Sequence, residues 1–262
     1  MEASAEPNNI AELCTKVGFF YEDGRTALLA SLKEINLKKA DIVSILTSSN
    51  SQYISSCVTT TVDKICVYNR EIVPETKAVI AISEFGYEID LLKIRNIFEG
   101  PIIQDNAYAF PLFFRDRGCV EPQFSIYSMP KFWGGKSGGL LIKEPELDAY
   151  NKNKIDKIHA LENIALRQKV YSYYQALNLP TGMRLVEITS DLNVCRSVCF
   201  IEISSLQLNK LEKIKGTMQE LGVECTIFYP KPILLLPVNP TFKPTDIQFI
   251  VTALRIAYEN NN

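Results

Sequence analysis

The sequence predicts an α/β fold: a mainly parallel sheet covered by helices in a larger first domain, residues 1–153, and a smaller α+β domain over residues 154–262. Three observations carry that expectation. Short β-branched runs alternate with amphipathic helical patterns, as they do where parallel strands are joined by helical crossovers. Ala78 to Ile82 is a continuous apolar run, AVIAI, which fits a strand buried on both faces. Lys143 to Lys157 is dense in Lys, Glu, Asp and Asn, a shift in composition that marks the end of a domain. At 262 residues, with 47 % apolar and 22 % charged, the chain can bury a real core in a large domain and a smaller one.

The elements follow in order. Asp23-Gly24 opens a helix over Thr26 to Ile35, with Leu28, Leu29, Leu32 and Ile35 on one face. Asp41 to Leu46 and Lys64 to Tyr68 read as strands. Leu91 to Phe98 reads as a helix that Gly100-Pro101 stops, and Ile102-Ile103 begins a short strand ending at Asp105. Phe124 to Tyr127 and Leu140 to Ile142 are strands on either side of a glycine-rich loop. In the second domain a long helix from about Ile155 to Leu177 is closed by Pro180-Thr181-Gly182. A strand over Ser197 to Ile203 and a helix over Leu208 to Leu221 come next, then strands near Cys225 to Phe228 and Ile233 to Leu236. The last helix starts at about Thr245 and puts Ile247, Ile250, Val251 and Leu254 at i, i+3, i+4 and i+7.

Composition removes several classes of function. Lys plus Arg is 28 against Asp plus Glu at 30, a formal net charge of −2, without the basic excess of a nucleic-acid binder. His159 is the only histidine, which leaves no His dyad, multi-His zinc site or proton-relay cluster. Catalysis must then use Lys, carboxylates, Cys, Tyr or a cofactor. Met1 to Asn9 is polar and acidic, unlike a secretion signal. The most apolar stretches, Val198 to Ile203 and Ile233 to Val238, fall far short of the ~18 residues of a membrane span. Seven scattered Cys, most of them within apolar runs, read as buried, reduced thiols of a cytoplasmic protein. Cys195 and Cys199 are four apart but lack the second pair or nearby His that zinc needs.

Four segments of the first domain carry chemistry together, and each has a plainer reading alone. Asp23-Gly24-Arg25-Thr26 is a glycine turn opening a helix, whose first N–H groups lack internal partners and sit at the positive end of the dipole. It is an anion site or an ordinary cap. Asp105 lies at the carboxyl end of a buried strand, the edge where ligands of α/β sheets collect, or it caps the next element. Lys131 follows Ser128-Met129-Pro130 and precedes Gly134-Gly135 and Gly138-Gly139; a lysine held out of bulk water there has a nucleophilic amine, whereas Lys136 in the same loop is expected to be solvated. Ser48 to Tyr53 is a hydroxyl-rich turn ending in a ring that can stack on a planar ligand, or simply a loop.

The order of these blocks resembles the DegT/DnrJ/EryC1/StrS family of pyridoxal-phosphate-dependent sugar aminotransferases, of the type I aspartate-aminotransferase fold. The resemblance runs through Gly24-Arg25-Thr26-Ala27-Leu28, then Thr76 to Ile80 with Phe85-Gly86 and Ile89-Asp90, and then Ile103-Gln104-Asp105. It continues through Tyr127 to Lys131, with Gly138-Gly139 seven and eight residues after the lysine, and through Leu208 to Gly222 followed by Tyr229-Pro230. It covers the chain from about Phe19 to Tyr258.

The resemblance implies roles for particular residues. Lys131 would bond to the cofactor aldehyde and shuttle a proton between substrate carbon and cofactor. Asp105 would pair with the pyridinium nitrogen. Gly24, Arg25 and Thr26 would hold the phosphate at the helix start, with Ser128 offering a hydroxyl. Tyr53 would stack on the ring, Tyr108 would lie beside the 3-hydroxyl, and Asn151 of Tyr150-Asn151 would reach a neighbour's phosphate in a homodimer. The implied reaction moves an amino group from an amino acid, glutamate, to a keto-sugar nucleotide in surface-polysaccharide or secondary-metabolite sugar biosynthesis.

The sequence also departs from the family. Gln104 and Ser137 stand where Glu is usual, Ile126 takes the place of the customary phosphate Ser, and the chain is shorter ahead of the first helix and after the lysine loop. Those departures motivate the alternative, a relative that keeps the fold as a binding or regulatory partner. A dehydratase of the family would carry His in place of Lys131.

Overall fold

In the computed structural model, residues 18–51, 54–109, 122–133, 138–143, 157–186, 196–203, 208–229 and 231–261 are described, the side chains of 132, 133 and 157–161 apart. The apolar run AVIAI is the middle of the first sheet. It lies in β4 (Thr76–Ile82), where Ala78 and Ile80 are fully buried in one core and Val79 and Ala81 in another on the opposite face. Around it the order is β1-β7-β6-β5-β4-β2-β3, from β1 (Phe19–Tyr21), β2 (Ile42–Thr47), β3 (Val67–Asn69), β5 (Ile102–Asp105), β6 (Phe124–Ser128) and β7 (Gly139–Lys143). Strands β2 to β6 are parallel; β7 runs antiparallel to β6, and β1 antiparallel to β7. The first sheet is therefore mainly parallel, as expected.

Helices α1 (Gly24–Glu34) and α2 (Ser56–Val62) pack on the core of Ala78, Ile80, Ile103 and Ile126. The opposite core holds α3 (Leu91–Arg95) through Leu91 and Ile94. Leu28 and Leu32 of the expected face of α1 are buried and Ile35 packs partly against the core, but Ala27 and Ser31 are buried where Leu29 was expected. Small side chains at 27 and 31 let the helix lie close to the sheet, and Ser31 Oγ is satisfied by donating to Leu28 O at 2.8 Å.

Helix α2 was not expected, because SCVTTTV is rich in β-branched residues. Its threonines tolerate the helix by donating to carbonyls four residues back, Thr60 to Ser56 O and Thr61 to Cys57 O, both at 2.6 Å. This helix shortens the strand expected at Lys64, which begins only at Val67. The helix expected to run to Phe98 stops at Arg95. There Arg95 Nη1 donates to Gly100 O at 2.6 Å and closes the turn.

The second sheet is antiparallel, in the order β10-β11-β9-β8, from β8 (Met183–Val186), β9 (Val198–Ile203), β10 (Thr226–Ile227) and β11 (Ile233–Pro237). Its core also takes side chains from α5 (Lys157–Ala176), α6 (Leu208–Glu220) and α7 (Pro244–Glu259). Ile247, Ile250, Val251 and Leu254 are all buried, the face their spacing predicted. A four-residue helix, α4 (Pro130–Trp133), carries Lys131 between β6 and β7. The chain divides into two compact units, one before and one after Leu161. Of the described cysteines, Cys66, Cys199 and Cys225 are buried thiols and Cys57 is exposed. Among the described residues no helix is long and apolar enough to cross a membrane.

Candidate active site

Parallel strands end at one edge of their sheet, so the segments that follow β2, β4, β5 and β6 are gathered side by side. These are Thr47 to Ser49, Ser83 to Gly86, Asp105 to Tyr108 and Ser128 to Lys131. Because β7 is antiparallel, its first residue, Gly139, lies at the same edge, paired with Ser128 of β6 and Tyr21 of β1. The turn after Tyr21 then starts α1 there.

Two glycines make that junction possible. Gly138 has φ +141°, and a Cβ on it would come 2.9 Å from the Phe20 ring. Its carbonyl accepts from Met129 N–H at 3.1 Å, closing the lysine loop at its base. A Cβ on Gly139 would lie 2.3 Å from Asp23 O and 2.7 Å from Gly24 N, so the start of α1 rests directly on this strand. The helix start and Ser128 are neighbours for that reason.

Asp23 caps α1: one carboxylate oxygen accepts from Thr26 N–H at 2.7 Å and Thr26 Oγ1 at 2.8 Å. The other accepts twice from the Arg25 guanidinium, at 3.1 and 2.9 Å. The Thr26 N–H bond, helped by the Thr26 hydroxyl and by Arg25, holds the carboxyl below the usual range against the opposing effect of burial. The Thr26 N–H is thus engaged by Asp23. Gly24 and Arg25 contribute the remaining first-turn N–H groups, which no helix can satisfy internally.

Asp105 Oδ1 accepts from Ala107 N–H at 2.9 Å. Burial pushes its carboxyl above the ordinary value, while the Ala107 bond and the Lys131 charge pull the other way. Lys131 Nζ lies 3.2 Å from the centroid of the Tyr108 ring, a cation–π contact. The Tyr108 ring in turn meets Phe85, with centroids 6.1 Å apart and planes tilted by 45°.

The sequence reading missed what holds Phe85. This residue sits at φ 51°, ψ 21°, a left-handed conformation costing a bulky side chain about 1–3 kcal/mol, and Gly86 follows at φ 97°. Its neighbour Glu84 is 5 % exposed. Glu84 Oε2 accepts from Ser49 N–H at 3.0 Å and from Ser49 Oγ, while Glu84 N–H donates to Ser48 Oγ at 3.1 Å. Among the described residues Glu84 Oε1 is buried without a hydrogen-bond partner. Burial pushes the carboxyl up, opposed by the Ser49 and Thr47 hydrogen bonds. The available signal was a lone Glu two residues past the end of an apolar strand.

One sheet edge therefore gathers Gly24, Arg25, Thr26, Asp105, Tyr108, Ser128 and Lys131. Tyr53 and Asn151 lie outside the described residues, as do Lys136 and Ser137. The edge offers an amine, a half-buried carboxylate and helix N–H donors beside a serine hydroxyl: a nucleophile, a cation partner and an anion cradle.

No protein-family model matches the sequence, and no curated protein matches it. Solved structures do. The chain has the type I fold of aminotransferases, and the likeness runs along nearly its whole length. Spr1654 of Streptococcus pneumoniae, described as a sugar aminotransferase, superposes with a TM-score of 0.70 at 12 % identity, covering 99 % of this chain and 91 % of that one. The aminotransferase TlmJ of Streptoalloteichus hindustanus gives 0.70 at 14 %, covering 96 % and 89 %. NtdA of Bacillus subtilis, solved with bound pyridoxamine phosphate, gives 0.62 at 13 %, covering 99 % and 78 %.

Proposed function

We propose that this chain is a pyridoxal-phosphate-dependent aminotransferase of the DegT/DnrJ/EryC1/StrS family, moving an amino group from glutamate to a keto-sugar nucleotide. Its setting is surface-polysaccharide or secondary-metabolite sugar biosynthesis in the cytoplasm, and its working form is a homodimer. The observation that carries the reading is Lys131 in the short helix just after β6, within the field of the Asp105 carboxylate, on the edge where α1 begins. Spr1654 in its pyridoxal and pyridoxamine phosphate forms, and NtdA with pyridoxamine phosphate, support the cofactor.

The residues present fit that cofactor. Gly139 and Gly138 are cradle glycines at which a Cβ would intrude, and the α1 start they support brings N–H donors beside Ser128. Asp23 adds a negative charge there, but Arg25 offsets it in bidentate contact. The phosphate therefore meets the helix dipole with little net repulsion.

The bound cofactor supplies an electron sink for the bond-breaking at the amino acid's α-carbon. Asp105, which accepts from Ala107 N–H, would hold the protonated ring nitrogen. Lys131 Nζ would anchor the cofactor covalently and then take and return the substrate's α-proton. Gly24, Arg25 and Ser128 would bind the phosphate. Tyr108 would limit how far the Lys131 amine can swing and keep water from it.

The test is spectroscopic. Purified protein given pyridoxal phosphate should develop an absorbance band that borohydride removes and Lys131→Ala abolishes, and glutamate should shift that band to the pyridoxamine form. A protein that stays colourless would overturn the reading. Uptake of the cofactor with no response to any amino-acid donor would favour the non-enzymatic relative.

A further inference from the structure

We infer that Glu84 is a positioning residue for Lys131, acting through the Phe85–Tyr108 ring pair. The inference rests on three facts that meet at one place. Glu84 ties the turn after β2 to the end of β4: its carboxylate accepts from Ser49 N–H and Oγ, and its N–H donates to Ser48 Oγ. Phe85, the next residue, is held in a left-handed conformation that a bulky side chain does not adopt without outside constraint. Its ring then lies against Tyr108, and the Tyr108 ring carries the Lys131 ammonium at 3.2 Å.

A burial of this completeness is unusual for a glutamate with no charged partner among its hydrogen bonds to the described residues. The role explains it. Were Glu84 only a fold residue, nothing would require the following residue to be forced into an unfavourable backbone region at the same edge as the reactive lysine. The clamp gives Phe85 a fixed direction, Phe85 fixes the plane of Tyr108, and that plane decides where the amine rests. The required property of Glu84 is hydrogen bonding rather than charge, since both of its carboxylate contacts on Ser49 are with donors. Gln at position 84 keeps an acceptor for them and puts an amide at the buried Oε1 position.

The inference deepens the proposed function, because Lys131 is the residue that reaction needs. Its test uses cofactor-free full-length protein, so its failure is separate from failure of the aminotransferase reading. The rate of Lys131 acetylation by limiting acetic anhydride is followed by peptide mass spectrometry, with exposed Lys77 as internal standard. Tyr108→Leu should raise the Lys131 rate about three- to thirty-fold, the range a lost cation–π contact spans. Glu84→Ala should raise it too, and Glu84→Gln should stay within about twofold of the parent. The Glu84→Ala, Tyr108→Leu double variant should match Tyr108→Leu alone, because both act through one ring. Ser49→Ala and Phe85→Leu serve if Glu84→Ala does not fold, with the same rise expected. A Lys131 rate unchanged in Glu84→Ala and in Phe85→Leu, or effects that multiply independently in the double variant, would overturn the inference.

Discussion

Replacing Gly139 by Ala tests the central claim that the start of α1 is seated on β7. The added methyl would lie 2.3 Å from Asp23 O, 2.4 Å from Asp23 C and 2.7 Å from Gly24 N. All three are backbone atoms, so no side chain can swing away. An ordinary contact needs roughly 3.4 Å, and the helix start must retreat by about 1 Å. Overpacking of this kind costs about 1–3 kcal/mol. At about 2–4 °C per kcal/mol for a unit of this size, the melting temperature should fall by roughly 2–12 °C. The phosphate donors move with the helix, and a misplacement of about 1 Å can lower activity by up to ~100-fold. Thermal melts and pyridoxal phosphate titrations measure both effects. Gly24→Ala is the control: its Cβ meets nothing within 4 Å, and its melting should change by less than about 0.5 kcal/mol. A Gly139→Ala protein that melts and binds cofactor like the parent would refute the reasoning, as would equal damage from Gly24→Ala.

Three further outcomes are expected. Asp23→Ser keeps a capping oxygen but removes a negative charge from the anion cradle and releases Arg25, so pyridoxal phosphate should bind about 2- to 5-fold tighter; weaker binding in a titration would contradict the assignment of that helix start. Burial raises the Glu84 pKa above 4.5, so the folded chain holds this proton more firmly than the unfolded one, and stability drops as pH climbs from that value towards the folded pKa. Glu84→Gln should flatten that decline in melts taken between about pH 4 and 8, and an unaltered slope would count against a buried, perturbed carboxyl. In the second unit, Tyr174 is 1 % exposed and its hydroxyl donates to Pro237 O at 2.9 Å. Tyr174→Phe leaves that carbonyl short of a donor and should cost about 1–3 kcal/mol in urea unfolding, where a change below ~0.5 kcal/mol would show the bond to be idle.

What was legible in the sequence was whatever a local pattern could encode. The AVIAI run reports burial on both faces because neighbours on either side must be apolar, and the last helix declares its buried stripe through spacing alone. The positions of Asp105 at the end of a strand and Lys131 just after one were legible because strand ends are recognisable and the lysine loop keeps its glycines. Other features depend on partners far along the chain. Strand β1 is three residues long and exists only because β7 offers it a ladder. Helix α2 overrides its β-branched composition through hydroxyl bonds that no propensity scale represents. Ala27 and Ser31 replace Leu29 on the packed face of α1 because close approach rewards small size over hydrophobicity. Glu84 was passed over for a similar reason. Its importance lies in Ser48 and Ser49, over thirty residues away, and in the backbone angle of the residue beside it.

The seating of α1 on Gly139 also sets an order of events during synthesis. Asp23 and Gly139 are separated by more than a hundred residues, and the helix start has no docking surface until the later strand has been made. At about 5–20 residues per second, that interval lasts roughly 6–23 s. For that time the helix start lacks the strand it rests on, although the helix's apolar face can already meet Val58, Val62, Ala78 and Ile80. A ligand that binds at the helix start can therefore select only chains whose sheet is already closed, and its arrival marks the completion of the first unit.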